Sequence, residues 1–314
     1  MTSHRRAAAA VALLLATCLS TDAFAARCLY VSSYHAGYEW NDAIERGMAP
    51  ALAGKCEFKA FYMDGKNNLS EDFAKKKARE AKDLIDAWKP DVVIACDDNA
   101  SKYLVMPYLK NASVPVVFCG INWTAETYGY PYKNATGMIE VGPIDDLANE
   151  VMAAVKGAKR GVFLSADEMT QYKEWERNKN VYAKKGIAFE HFPVKTMAEW
   201  EAKYLEAQKA DFVMVANNAG IHDWDGKRAL AFALKNSKKF TVSYLDWMAP
   251  YAMLTMAKIA EEQGEWSAQA AVMILGGTSP SKIPIVANRR WNMFINPNLL
   301  KAINLKLSQD ILLK

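Results

Sequence analysis

Beyond its N-terminal stretch the sequence has no uninterrupted apolar run approaching the ~20 residues a membrane-spanning helix needs, so no later segment reads as a span. It also lacks an excess of one charge: 39 Lys and Arg stand against 35 Asp and Glu, a formal net charge of +4. That balance leaves no electrostatic footprint for nucleic acid, and no stretch clusters Lys and Arg with aromatics. The Lys75-Lys76-Lys77 run falls on an amphipathic helical pattern and reads as a solvated helix face. Motifs of catalysis are missing too. There is no HExxH, GxSxG or CxxC, and His35, His191 and His222 are scattered. A metal set built from His35, Cys96, Asp97 and Cys119 has no supporting spacing, so no metal and no cofactor is expected. Residues 276–282 (GGTSPSK) look like a phosphate loop, but they lack the GxxxxGK[ST] spacing and do not join a strand to a helix. They read as a loop between lobes.

What is present begins with a leader. Arg5-Arg6 precede an apolar run over residues 7–19, and Ala23-Phe24-Ala25 supplies a small-x-small cleavage pattern. This is a secretory signal peptide over residues 1–25, and the mature chain is exported to the periplasm. The alternative, lipoprotein anchoring at Cys18, is disfavoured by Thr17 immediately before the cysteine. Removing the leader leaves Cys28, Cys56, Cys96 and Cys119. Cys28 and Cys56 start predicted strands, and Cys96 and Cys119 end them. Neighbouring strands would make Cys28–Cys56 and Cys96–Cys119 the natural bridges in an oxidising compartment. The other reading is four small buried hydrophobes.

The chain is organised around residues 89–124. Residues 91–95 and 114–118 are continuous β-branched runs that suit strands covered on both faces of a parallel sheet. The first ends at Asp97-Asp98-Asn99 and the second at Cys119-Gly120-Ile121-Asn122. In open α/β sheets the carboxyl edge of the strands is where ligands bind. Upstream, strands are predicted from Cys28 and Cys56, with Ser70 capping a long helix that has Glu71 and Asp72 in its first turn. After residues 134–137 the strand–helix alternation starts afresh, giving a second α/β lobe with strand ends at Ser165, Asn217 and Asp246. Helices are predicted over about 249–262 and 266–275, and strands near Ile283 and Met293, where the chain crosses back between lobes.

The segments VSSYHAGYEWNDAIERGM, PDVVIACDDNAS, PVVFCGIN, NATGMIE and NPNLLKAINLKLS resemble the ABC-transporter substrate-binding family with a type I periplasmic-binding fold. Closely similar sequences serve as periplasmic sensor domains of histidine kinases and related receptors. The resemblance implies an α/β fold of two Rossmann-like lobes with parallel sheets, joined by a multi-strand hinge and closing over a small molecule. One lobe would take residues 26–138 plus about 255–285, the other 139–254 plus about 286–314. Ser33, Tyr34, His35, Trp40, Asp97, Asp98, Asn99, Asn122 and Trp123 would line the first lobe. Ser165, Asp167, Asn217, Asn218, Asp246 and Trp247 would line the second. The implied partner is an ABC permease or a membrane sensor kinase or cyclase, with the protein acting as a monomer. One departure stands out: Cys96-Asp97-Asp98-Asn99 replaces the Gly-Thr or Gly-Ser loop of many members, as in the sensor-like ones.

The chemistry of these loops favours binding. Aromatic rings (Tyr34, Tyr38, Trp40, Trp123, Trp247) can sandwich a planar group or hold a cation against a π face. Carboxylates and amides orient the ligand, and the surplus of carboxylates favours an amino acid or an amine- or ring-bearing compound. The competing reading is an exported enzyme using Asp97 and Asp98, although adjacent residues point in different directions. The N-x-[ST] triplets at Asn99 and Asn122 would place glycans on the cleft, which favours a bacterial periplasm.

Overall fold

The computed structural model describes residues 26–304. The leader, its Cys18 and residues 305–314 lie outside the described residues. The buried apolar runs form β1 (Ala26–Ser32), β3 (Val92–Cys96) and β4 (Val116–Asn122). Between them lie α1 (Glu39–Leu52), β2 (Cys56–Tyr62) and α2 (Glu71–Trp88). Ser70 Oγ caps α2 by accepting from the Phe73 amide at 3.3 Å. The expected loop after β3 is helical instead: one turn, α3 (Asp97–Asn99), runs on as a π-helix over Ala100–Leu109. β5 (Ala135–Glu140) completes this half.

The second half repeats the pattern through α4 (Ile144–Ala154), β6 (Arg160–Ala166), α5 (Met169–Lys184), β7 (Ala188–Val194) and α6 (Met197–Ala207). It continues through β8 (Phe212–Val215), α7 (Gly226–Asn236), β9 (Phe240–Ser243) and β10 (Leu254–Lys258). The chain then returns as α8 (Ala260–Leu275) and β11 (Val286–Ala287), and ends as β12 (Trp291–Ile295) and α9 (Pro297–Ala302).

The two sheets share one order. The first runs β2-β1-β3-β4-β5-β11 and the second β7-β6-β8-β9-β10-β12. The pairings are parallel except β10–β12, which is antiparallel. One apolar layer, with α2 and the π-helix, covers one face of the first sheet, and another, with α1 and α8, covers the other. Gly47 and Gly264 let α1 and α8 touch backbone to backbone. A Cβ at Gly47 would meet Glu261 O, and one at Gly264 would meet Ile44 O.

Three expectations need correction. The helix expected over 249–262 is a 3-10 turn (Asp246–Tyr251), then β10, then the start of α8. Pro250 limits the turn, and the continuously buried residues from Ala252 to Ala257 suit a strand covered on both faces. Consequently residues 255–258 lie in the second sheet, not with the first lobe. Val286 and Ala287 pair with Met138 and Ile139 in the first sheet, not with the second lobe. The crossings therefore fall at residues 141–143, 259 and 288–290. The 276–282 loop does not run between lobes either: it leads to a turn packed on the first, where Ile283 O accepts from Thr136 Oγ1 at 2.8 Å.

Candidate functional site

In each sheet the strand order reverses once, between β1 and β3 and between β6 and β8. The chain leaves those neighbouring strands in opposite directions, which opens a crevice at their carboxyl ends. In the first lobe Ser33 fixes that crevice. Its amide and Oγ donate to Cys96 O at 3.2 and 2.7 Å, and Oγ accepts from the Ala100 amide at 2.8 Å. Ser33 is fully buried, so it stitches the two strand ends together. Directly across the β3–β4 register, Cys96 is bonded to Cys119 with Cα atoms 4.5 Å apart, and Cys28 is bonded to Cys56 at 5.9 Å.

The residues after this bridge both turn left-handed, Asp97 at φ +71° and Gly120 at φ +68°. Gly120 is required twice, by its backbone and because a Cβ would lie 2.6 Å from Asp97 Oδ1. Asp97 is 2% exposed; Trp40 Nε1 donates to its Oδ1 at 3.1 Å, while Oδ2 has no partner among the described residues. Burial pushes its carboxyl well above the usual range, and the charges of Glu140 and Asp98 push it further. Asp98 takes a different direction, accepting from Asn122 Nδ2 at 3.1 Å and the Tyr128 hydroxyl at 2.9 Å. Tyr34 meets Tyr38 edge-on at 5.1 Å, and Lys66 Nζ sits 4.5 Å from the Tyr34 ring and 5.4 Å from the Tyr38 ring. His35 Nδ1 lies 3.7 Å from Asp64 Oδ1, and the Asn99 amide abuts Gly65.

Contacts between the lobes gather around Lys258 and around Trp123. Lys258, at the end of β10, bonds the buried carboxylate of Glu140, at the end of β5. Its ammonium also lies 5.6 Å from the Trp40 ring. Burial raises the Glu140 carboxyl, with Lys258 opposing that rise. Trp123 donates from Nε1 to Glu174 Oε1 at 3.1 Å, and the Arg177 guanidinium lies 4.5 Å from its ring. A hollow of about 710 Å³ flanks these crossings, with Trp123, Gly142, Arg177 and Trp291 among its walls.

In the second lobe, Ser165 is buried with its Oγ 2.8 Å from His191 Nε2. Tyr172 and Trp175 flank that imidazole at 4.7 and 5.4 Å, and burial pushes it down to about 4. Asp167 accepts from the Tyr172 hydroxyl at 2.9 Å and pairs with Lys195 at 3.3 Å, contacts that hold it below the usual carboxylate range. Asn217 Oδ1 accepts from the Ala219 amide at 2.8 Å, and Asn218 O accepts from the Ile221 amide at 3.0 Å. Asp246 Oδ1 accepts from the Trp247 amide at 2.8 Å, and the Trp247 ring is 53% exposed. The sequence reading missed Lys66, Glu140, Glu174, Arg177 and Lys258. Glu140 alone carried a signal, as the polar end of an otherwise buried strand.

Ser165, His191 and Asp167 do not form a hydrolytic triad. Among the described residues His191 Nδ1 has no hydrogen-bond partner, and Asp167 is bound to Tyr172 and Lys195, so none of them orients the imidazole from behind. Asp97 and Asp98 are held by different donors, Trp40 for the first and Asn122 and Tyr128 for the second.

Solved structures with the same fold include substrate- and solute-binding proteins. An ABC domain from Streptococcus pneumonia in complex with L-Trp is 17% identical, with a TM-score of 0.56 over 91% of this chain and 97% of that one. The ligand-free, open form of a substrate-binding protein with adhesive properties from Clostridium difficile is 16% identical, with a TM-score of 0.69 over 91% and 97%. An R. palustris solute-binding protein in complex with 4-hydroxybenzoate is 15% identical, with a TM-score of 0.54 over 82% and 83%. The architecture is the type I periplasmic-binding-protein fold. A family model described as ABC transporter substrate binding protein matches residues 39–314, and the chain belongs to that family. No curated protein matches the sequence significantly. No helix among the described residues is long and apolar enough to cross a membrane.

Proposed function

We propose that this protein is a periplasmic solute-binding protein that closes over a small amino-acid-like or ring-bearing ligand and presents it to an ABC permease. The observation that carries this reading is the matched pair of switch points. Each lobe brings polar and aromatic side chains to the carboxyl edge of a sheet with the same strand order, and the two edges belong to lobes linked by three short crossings. Residues 26–140 with 260–287 then move as one unit, and residues 144–258 with 291–304 as the other. Tyr34, Trp40, Asp97 and Asp98 contribute from the first lobe, and Asp167, Asn217, Asn218 and Asp246 from the second. Binding shifts the population from open to closed, because only the closed form lets one ligand touch both edges. The leader supports a periplasmic location, and the family supports a binding role rather than catalysis.

Small-angle scattering during titration with amino acids and aromatic acids and amines tests the reading. A bound compound is expected to reduce the radius of gyration, and Asp98→Ala is expected to weaken binding while changing the melting temperature of the empty protein little. Saturable binding with an unchanged radius of gyration would overturn it.

A further inference from the structure

The first lobe's half of the crevice holds an acid with one oxygen unspoken for. Asp97 is almost wholly buried and Trp40 satisfies Oδ1, yet Oδ2 has no donor among the described residues. Asp98 and Glu140 stand close enough to raise its carboxyl further. A carboxylate in that setting calls for a proton or a cation. No lysine bonds it among the described residues: Lys258 is bonded to Glu140, and Lys66, whose charge acts on Asp97 without a hydrogen bond, lies over the Tyr34 and Tyr38 rings. The place Lys66 takes is informative. An ammonium of the chain itself settles on these rings, whose faces attract positive charge. Across the crevice, α5 begins directly after the two acidic residues Asp167 and Glu168, whose charge disfavours an anion at that end of the helix.

This inference rests on the solute-binding reading and deepens it. We propose that the group recognised by the first lobe is a cationic amine, its ammonium donating to Asp97 Oδ2 with the Trp40 and Tyr34 rings beside it. Selectivity then follows the positive charge of the ligand. A carboxylate elsewhere on the ligand is tolerated and not required.

A charge series on one ring tests this: phenethylamine, 2-phenylethanol and 3-phenylpropanoate, with putrescine as an amine lacking a ring. Each is titrated calorimetrically, with scattering recorded alongside, into the mature protein and into Asp97→Asn. Asn accepts the left-handed backbone at 97, and circular dichroism checks that the variant folds; should it not, the series on the unaltered protein decides alone. At least one amine is expected to saturate below ~10 mM and to bind about 10-fold or more tightly than the alcohol and the acid. Asp97→Asn is expected to weaken it by about 10-fold or more, as loss of a charge-assisted hydrogen bond does. The proposal fails if the acid or alcohol binds as tightly as the amine, if Asp97→Asn leaves amine affinity unchanged, or if no amine saturates by ~10 mM. Those failures leave the solute-binding reading standing wherever a bound compound still contracts the protein, whereas binding without contraction defeats that reading itself.

Discussion

Replacing Lys258 by Met asks what holds the floor of the crevice. Met keeps much of the apolar stem and removes the ammonium that bonds Glu140, whose side chain is 7% exposed. Glu140 is then left buried with Asp98 and Glu174 as its electrostatic neighbours, both of which raise its pKa. Breaking a buried pair by removing one partner costs about 3–5 kcal/mol. The penalty has a ceiling, because the folded protein can always take up a proton on Glu140. From an unfolded carboxyl near 4.3, that proton costs about 4 kcal/mol at pH 7.5 and about 1 kcal/mol at pH 5. The folded pKa of this acid lies above its unfolded value, so the penalty grows above pH ~4.3 and shrinks as pH falls. Lys258→Met is therefore expected to lose about 3–4 kcal/mol at pH 7.5, roughly 6–10 °C in melting temperature, and about 1 kcal/mol or less at pH 5. Adding Glu140→Gln removes the stranded charge and is expected to restore most of the loss at pH 7.5. Scanning fluorimetry of both variants at the two pH values reads this directly. Equal destabilisation at both pH values, or a double variant weaker than the single one, would refute the reasoning.

Two further outcomes follow from packing and burial. Gly264→Ala drives a methyl into Ile44 O and is expected to cost about 1–3 kcal/mol through separation of α1 from α8; an unchanged melting temperature would mean the helices are not in backbone contact. His191 has its imidazole pushed down to about 4 by burial. The folded state thus resists protonation, and stability is lost as pH falls from about 6.5 toward about 4. The full shift corresponds to about 3 kcal/mol, and partial exposure of the ring reduces this to about 1–2 kcal/mol. His191→Gln is expected to lack that loss, and a variant tracking the unaltered protein across this range would count against it.

Local pattern carried the reading where one segment decides its own fate. Residues 91–95 and 114–118 announce buried strands because β-branched side chains pack on both faces, and the polar residues ending them locate the crevice. The same method failed over 249–262, where a buried apolar run is helix-like or strand-like by composition, and only its neighbours β9 and β12 decide. The structural bonds of Ser33 and Ser165 were not legible in the sequence: one ties Cys96 to Ala100 and the other meets His191, contacts between segments far apart in the chain. The Glu140–Lys258 pair spans 118 positions in the chain. No periodicity or spacing points from one to the other, since their meeting depends on two sheets being set side by side.

The position of the contacts between lobes bears on how closing is driven. Glu140–Lys258 and Trp123–Glu174 both lie on elements next to the crossings: the ends of β4, β5 and β10, and α5 beside α4. In the proposed closing, groups close to the hinge axis travel little, so these contacts are expected to persist and to add little to the difference between open and closed states. The residues after β3, β6, β8 and β9 make bonds within their own lobe: Asp98 to Asn122, Asp167 to Tyr172, Asn217 to Ala219, Asp246 to Trp247. Closing therefore need not break them, and the free energy that favours the closed state has to come from the ligand bridging both edges. Moving the protein from 1% to 99% closed takes about 5.5 kcal/mol of differential binding. A handful of charge-assisted hydrogen bonds at about 1.5–3 kcal/mol each, with ring contacts at about 0.5–2 kcal/mol, is enough, provided that they are made on both sides of the gap.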